Sequence, residues 1–463
     1  MIGAYITSKF CLNITICSDE KFHKSLNYHL NHKNGFAMKK INKSILLFAI
    51  MLTAFSGKAQ EVRTLLIGEV FNVPYQSLTL MKATEDFDHG ERVIIELVDG
   101  KFEHELVADV LEVYVFFFEE QMAMGPFQPF YFVPDSERIY FRLYPSEDIE
   151  VTEIRGSEAT KERHAMRSKS REKFQPLFQP IFEIQGQLIE SGEFFSDQYK
   201  KYQDAYEKAI DEENYEKAVY YTSRRVELME SGDNVSEKGR VIVDEIDSLR
   251  AIQIQWQLDY LAESLSLNSY FLLIQFINMI DYHKSLTFED LKNLAVKFYD
   301  KYPDHPYTRL TKAMMEAHKR IQVGNKFIDF SLPDLEGNMH QLSTEIEGKY
   351  AIIDLWASWC GPCIMGSREL VPIYEEFKDK GFTIFGVARE FRSTDAMARR
   401  IEQEGFSWLN LVELDDSNNI WLQYGVTGGG RKFLVDDKGI ILAIDPQASK
   451  VREILMERLS EKR

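Results

Sequence analysis

Two cysteines, Cys360 and Cys363, are separated by two residues, and such a pair can exchange two electrons between a dithiol and a disulfide. They follow an apolar run, residues 350–356, that is typical of a buried strand, and they precede a helical pattern. The first turn of a helix offers unpaired N–H groups and a partial positive charge, which stabilise a thiolate. The sequence therefore predicts that Cys360 ionises near neutral pH and that Cys363, one helical turn away, closes the ring.

The length and charge of the chain limit the classes of protein it can belong to. At 463 residues it is too long for one ordinary domain. Its formal net charge of -18 repels phosphates, so neither nucleic acid nor an anionic membrane surface is expected as a partner. Hydrophobic residues make up 44% of the chain, which is enough to build several packed cores.

Residues 38–59 have the pattern of a secretory signal peptide that starts at Met38. A basic segment is followed by a short apolar run, residues 44–52, and by small residues at Gly57 and Ala59. The apolar run is too short to span a bilayer, so no membrane insertion is expected after the signal is removed. Residues 1–37 are then an upstream extension outside the mature protein, and the predicted location is the periplasm or cell envelope.

The remaining cysteines support this interpretation. Cys11 and Cys17 precede the predicted cleavage site, so the mature protein holds only the two cysteines of the motif. In an exported protein without structural disulfides, a single Cys-x-x-Cys pair indicates that these cysteines take part in redox chemistry.

Three regions follow the predicted signal peptide. Residues 61–152 contain short apolar runs separated by turn signals, which predicts a β-rich, sandwich-like domain with residues 116–118, three phenylalanines, in a core strand. Residues 157–321 show helical spacing, and Pro303 and Pro306 separate the last helices. Residues 323–463 alternate strands and helices, which predicts an α/β sheet with crossover connections.

The elements predicted within 323–463 are short and regularly spaced. Strands are predicted at 350–356, 382–388, 432–436 and 440–444, and helices at 363–379, 394–404 and 448–461. The Cys-x-x-Cys pair lies where the first of these strands gives way to the first of these helices.

This order, with Trp359-Cys360-Gly361-Pro362-Cys363 after the first central strand, resembles the thioredoxin fold and is similar to the TlpA/ResA-like extracytoplasmic thiol–disulfide oxidoreductases. The lead-in, residues 323–337, and Gly348-Lys349 are similar to segments that such proteins share with peroxiredoxins. The β-rich and helical layout upstream resembles multidomain members exported by Gram-negative bacteria. The resemblance implies a C-terminal α/β thioredoxin fold preceded by a β-rich domain and a helical domain.

The resemblance also implies roles for individual residues. Cys360 would be the attacking thiolate and Cys363 the resolving cysteine, and Asp354 would match a buried acid beneath the active site. A carboxylate inside an apolar strand is costly to bury, and one placed there could take the proton from Cys363 as it attacks. The residues expected to contact substrate are Trp359, Gly361, Pro362, Gly429 and Gly430.

The sequence departs from the family pattern at several positions. Gly430 stands where these proteins usually carry a cis-proline facing the cysteines, and three glycines, residues 428–430, suit a loop that needs close approach or positive φ. Arg368 replaces a helix proline, and Gly366 stands where many members have Glu. These departures leave open how rigidly a substrate segment is held and which partner is preferred.

The leading hypothesis is a cell-envelope oxidoreductase that reduces protein disulfides. An unidentified thiol donor would then reduce its own disulfide, and no cofactor is expected. A thiol peroxidase is an alternative, but Ala357 occupies the place of the Thr or Ser that a peroxiredoxin has three residues before its reactive cysteine. A non-catalytic binding module is a further alternative. One Cys-x-x-Cys supplies half of a tetrahedral site, so no metal site is predicted; a homodimer is left open.

Overall fold

The computed structural model describes residues 61–460 except 74, 88, 125–128, 146–150, 213 and 284. The predicted upstream extension, 1–37, and signal peptide, 38–59, lie outside the described residues. The chain divides into two compact units, with the division between Lys161 and Glu162. Within the described ranges, no helix combines the length and the apolar character needed to cross a membrane.

The first unit contains two four-stranded sheets. Their orders are β4-β1-β7-β8 and β3-β2-β5-β6, and all neighbours are antiparallel except β1 and β7. A short helix, α1, covers Glu119–Met124. The strands are β1 (Val62–Val70), β2 (Ser77–Lys82), β3 (Val93–Glu96), β4 (Lys101–Ala108), β5 (Tyr114–Phe117), β6 (Phe130–Phe132), β7 (Arg138–Leu143) and β8 (Glu153–Arg155).

Both sheets contribute side chains to one apolar core, which confirms the sandwich-like prediction. Alternate residues of β7 are buried, and Phe141 from this strand meets Phe116 of β5 edge to face, with ring centroids 5.1 Å apart. The three consecutive phenylalanines, 116–118, are fully buried, as predicted for a core segment. Burial of one such ring contributes about 1.5–3 kcal/mol.

Helices occupy residues 158–320, as the helical spacing predicts. Ser196, Ser236, Ser266 and Thr287 each cap a helix by accepting a backbone N–H three residues on. Pro306 lies in the first turn of the last helix, so the predicted break is confirmed. The helices are α2 (Glu158–Glu190), α3 (Asp197–Asp211), α4 (Tyr215–Ser231), α5 (Glu237–Glu263), α6 (Leu267–Asn278), α7 (Phe288–Lys301) and α8 (Pro306–Arg320).

After a small hairpin, β9 (Ser331–Pro333) and β10 (Met339–Gln341), the chain builds a five-stranded sheet in the order β13-β12-β11-β14-β15. Strands β11, β12 and β13 are parallel, and β14 and β15 are antiparallel to their neighbours. The strands are β11 (Tyr350–Trp356), β12 (Phe382–Glu390), β13 (Leu409–Leu414), β14 (Arg431–Val435) and β15 (Ile441–Ile444). The helices are α9 (Leu342–Glu345), α10 (Gly361–Arg368), α11 (Val371–Phe377), α12 (Asp395–Glu404), α13 (Ile420–Gln423) and α14 (Ala448–Ser460).

Strand β13 and the helical segment after Cys363 differ from the sequence prediction, and the hairpin β9–β10 and the short helices α9 and α13 are additional to it. Strand β13 was not predicted, because the buried polar residues Asn410 and Glu413 interrupt its apolar pattern. The helix predicted at 363–379 is two helices, α10 and α11, and Pro372 lies in the first turn of the second. Proline has no N–H to continue a helical ladder and favours the start of a helix.

Strand β11 positions the motif at the centre of the sheet. It lies between β12 and β14, and every one of its residues is buried, which explains why all of them except Asp354 are apolar or aromatic. The strand ends at Trp356, so the chain leaves the carboxyl edge of the sheet just before Cys360. In open α/β sheets this edge is where reactive groups are usually presented.

Candidate active site

Cys360 and Cys363 are joined by a disulfide, with their Cα atoms 5.3 Å apart. Cys360 is the N-cap of α10, and its Sγ accepts the backbone N–H of Cys363 at 3.3 Å. Cys360 is 3% exposed and Cys363 5%, while Gly361 and Pro362 between them are exposed. The disulfide therefore lies just beneath a small exposed turn at the positive end of a helix.

The local sequence explains why the helix starts there. Pro362 lies in the first turn, where its missing N–H costs no helical hydrogen bond. Gly361 has open space around the position of a Cβ, so no neighbouring group requires glycine there. Both predicted substrate contacts thus lie on the exposed side of the disulfide.

Gly430 lies against the other side of the sulfur pair. Its backbone N–H donates to the Sγ of Cys363 at 3.2 Å. A Cβ at this position would come within 1.9 Å of the Leu355 carbonyl oxygen and 2.9 Å of the Cys363 Sγ. The φ of Gly430 is not positive, so close approach is the reason for glycine here. Gly428 and Gly429 are exposed, with open space at the position of a Cβ.

Asp354 is completely buried in β11, beneath α10. Its Oδ2 accepts a 2.5 Å hydrogen bond from the Ser367 hydroxyl, and its Oδ1 lies 3.4 Å from the Lys432 ammonium. Ser367 is one helical turn after Cys363, which places it on the same face of α10. The structure thus connects the buried acid to the helix that carries both cysteines.

Lys432 reaches Asp354 from the neighbouring strand, because the two residues are directly paired in the β11–β14 register. A Cβ on Gly366 would lie 3.0 Å from the Lys432 Nζ, so the small residue at 366 leaves room for the ammonium group. Removing one partner of such a buried ion pair strands the other charge. Lys432 is a member of the site that the sequence analysis missed.

Trp359 packs against the end of β12 and the residues that follow it. Its indole N–H donates to the Arg389 carbonyl oxygen at 3.1 Å, and its ring lies 6.3 Å from the Phe391 ring and 6.4 Å from the Trp421 ring, centroid to centroid. The Arg389 guanidinium lies 5.3 Å from the Trp421 ring centroid. These contacts hold the half-buried Trp359 against the end of β12 and the buried Trp421 ring.

Glu390 is a second site residue that the sequence analysis missed. This buried carboxylate accepts the backbone N–H of Ser358 at 2.7 Å and the Ser358 hydroxyl at 2.6 Å. It lies at the carboxyl end of β12, beside the end of the parallel strand β11. The only sequence signal was an acidic residue at the end of an apolar strand, which by itself does not identify its partner. Glu390 thereby fixes the turn that leads into Cys360.

The described part of the chain holds no group of three or more His, Cys, Asp or Glu side chains that could bind a metal ion. Its scattered histidines have local roles. His305 caps α8 by accepting the Tyr307 N–H, and His340 hydrogen-bonds to Glu345 and Asp334, whose carboxylates raise the pKa of its imidazole.

Residues 323–444 match the AhpC/TSA family. Two similar curated proteins are a thiol:disulfide interchange protein DsbE of Pseudomonas fluorescens biotype C, 29% identical over 26% of this chain, and a thiol–disulfide oxidoreductase ResA of Bacillus thuringiensis, 29% identical over 27% of it. The matched region spans 64% of the first relative and 69% of the second. The C-terminal region is therefore a thioredoxin-like domain of the AhpC/TSA type, and the predicted resemblance is confirmed.

A solved structure is also similar in this region. It is the thioredoxin domain of a thiol–disulfide oxidoreductase from Bacteroides vulgatus, 28% identical, and the match covers 30% of this chain and 98% of that one with a TM-score of 0.28.

Proposed function

We propose that this protein is a thiol–disulfide oxidoreductase that reduces disulfides of other proteins through Cys360 and Cys363. The observation that carries the proposal is the disulfide at the first turn of α10, one end of which is the helix N-cap. The two similar curated proteins named above, one an interchange protein and the other an oxidoreductase of thiols and disulfides, support the same activity.

The reaction follows from sulfur chemistry alone. In the reduced protein the Cys360 thiolate attacks a substrate disulfide, one substrate sulfur leaves as a thiolate, and a mixed disulfide forms. Cys363 then loses its proton and attacks the Cys360 sulfur, which releases the second substrate thiolate. Two electrons pass to the substrate, and the protein is left with the Cys360–Cys363 disulfide. A thiol donor must reduce that disulfide again, and no cofactor is required.

The buried residues around α10 support the second step. Asp354 is joined to α10 through Ser367, which orients its carboxylate, and we assign it as the group that accepts the Cys363 proton. Lys432 balances the buried negative charge, which would otherwise be costly in this dry site. We assign substrate contact to Trp359, Gly361 and Pro362, and to the loop residues Gly429 and Gly430.

The alternative activities are less well supported. A thiol peroxidase is not favoured, because Ala357 provides no hydroxyl near the reactive sulfur and the similar curated proteins named above are thiol–disulfide enzymes. A non-catalytic binding module has only the open glycines 428 and 429 in its favour. We further propose export to the cell envelope, supported by the signal-like pattern of residues 38–59.

The proposal is tested by catalysed reduction of insulin disulfides with dithiothreitol as the electron donor. We expect the protein to accelerate insulin precipitation well above the rate of dithiothreitol alone, and hydrogen peroxide to be consumed no faster than in its absence. Peroxide consumption without insulin reduction would indicate the peroxidase. Failure to accelerate either reaction would leave the binding module as the better account.

A further inference from the structure

The backbone of Gly430 approaches the Cys363 sulfur at a position that leaves little room for a Cβ. Its N–H lies 3.2 Å from the Cys363 Sγ, while its Cα is held against the Leu355 carbonyl oxygen, where a Cβ would come within 1.9 Å. Strand β14 begins only at Arg431, which pairs with Leu355. The Gly430 N–H therefore lies just outside the strand and points to sulfur instead of a carbonyl.

Contacts on both sides hold this loop in place despite its three glycines. The Thr427 hydroxyl donates to the Asn278 Oδ1 at 2.7 Å, and the Arg431 guanidinium bridges Asp281 at 2.8 Å and Asp445 at 2.9 Å. Asn278 ends α6, and Asp281 lies in the 3-10 turn that follows it. The helical region thus anchors the segment on each side of Gly430, which fixes the N–H relative to Cys363.

We propose that Gly430 is a catalytic residue of thiol–disulfide exchange, whose N–H stabilises the Cys363 thiolate; this inference rests on the proposed function. When Cys363 attacks, its S–H proton first goes to a base and the N–H holds the resulting anion until the Cys360–Cys363 bond forms. When a donor thiolate reduces the oxidised protein, it bonds to the Cys360 sulfur. The electron pair of the broken S–S bond then passes to Cys363, and the same N–H stabilises that leaving group.

The size of the effect is set by two opposing trends. A hydrogen bond to an ionised sulfur increases the fraction of thiolate at neutral pH by about tenfold. The stabilised thiolate is also less nucleophilic. The logarithm of the attack rate falls by about 0.4–0.5 for each unit by which the thiol pKa falls, so each thiolate reacts about threefold more slowly. The net result is about a threefold faster attack by Cys363 near pH 7.

The first test reads the hydrogen bond without changing Gly430. The full chain is labelled with 15N-glycine and reduced, and the Gly430 amide resonance is followed against pH together with the thiolate absorbance at 240 nm. We expect this resonance to move with the ionisation of Cys363 and to stop doing so in Cys363→Ala. Asp354 and Lys432 also face α10, so Asp354→Asn must leave the movement in place if the sulfur is its cause.

The second test removes the N–H. Gly430→Pro also brings a Cβ against the Leu355 carbonyl oxygen, so it is interpreted only where circular dichroism shows a native fold. It should then shift the ionisation of Cys363 to higher pH by about a factor of ten in proton concentration and slow release of a mixed disulfide by about threefold at pH 7. Gly428→Ala, in open space on the same loop, should change neither. If Gly430→Pro fails to fold, the pH titration of the Gly430 resonance in the unaltered chain still tests the hydrogen bond to Cys363.

A Gly430 resonance that stays constant through the ionisation of Cys363 would overturn the inference, whatever the activity. Because the titration needs no substrate, it is independent of the proposed function. A protein that fails to reduce insulin but shows the coupled titration would overturn the proposed function and leave the hydrogen bond to the thiolate standing.

Discussion

Replacement of Cys360 by serine is expected to lower catalysed insulin reduction to the rate of dithiothreitol alone, a loss of at least about a thousandfold. A serine hydroxyl stays protonated at neutral pH, even at the N-terminus of α10, so no nucleophile remains to attack a disulfide. Serine is close in size to cysteine, and the N-cap of α10 suits it, so the fold should be preserved. The measurement is insulin turnover, with circular dichroism to confirm folding.

The matched control is Cys363→Ser. This variant keeps the attacking thiolate and loses only the resolving one, so it should form mixed disulfides that accumulate with substrate and survive denaturation without reductant. Identification of the trapped proteins would name the substrates. Equal turnover by Cys360→Ser and the unaltered chain would refute the assignment, as would mixed disulfides trapped by Cys360→Ser in preference to Cys363→Ser.

Replacement of Asp354 by asparagine is expected to slow the release of mixed disulfides by about a hundredfold, because an amide cannot accept the Cys363 proton. The first attack, made by Cys360 without any proton transfer from Cys363, should be nearly unchanged. Rapid mixing of the reduced protein with a disulfide substrate separates these two steps. Stability is expected to fall as well, by about 3–5 kcal/mol, because the Lys432 ammonium loses its buried partner.

A double variant separates the catalytic effect from the structural one. Asp354→Asn combined with Lys432→Met removes both charges, so it should recover much of the lost stability but not the rate of release. Recovery of the rate along with the stability would show that Asp354 acts only by balancing Lys432. A release rate that is unchanged in Asp354→Asn alone would remove the carboxylate from the mechanism.

The elements around the motif could be predicted where local physics determines them. Strand β11 has the bounds expected from the sequence, 350–356, because a strand buried on both faces gives a run that is apolar at all but one position, Asp354. Strand β13 could not be found in this way, because Asn410 and Glu413 are buried only through tertiary contacts. The Asn410 side chain accepts the Trp356 indole N–H at 3.0 Å, a contact between distant parts of the chain.

The residues of the site, like the strands, could be predicted only where the local sequence marks them. The cysteines and Asp354 are visible in the sequence because their types are unusual where they stand, and Ser367 could have been found from its spacing of one helical turn after Cys363. Lys432 and Glu390 depend on strand order and register, which no local pattern gives. The glycine at 430 was noticed as a departure, but the direction of its N–H emerges only from the folded backbone.

The most direct test of the central claim is the rate at which Cys360 is alkylated by iodoacetamide in the reduced protein at pH 7, followed peptide by peptide. Free cysteine is only a few per cent thiolate at this pH, so a sulfur ionised by the N-terminus of α10 should react at least about tenfold faster than free cysteine. Cys363 should react more slowly, because the N-cap position that stabilises a thiolate belongs to Cys360. A Cys360 that reacts no faster than free cysteine, or more slowly than Cys363, would contradict the assignment of residue 360 as the attacking thiolate.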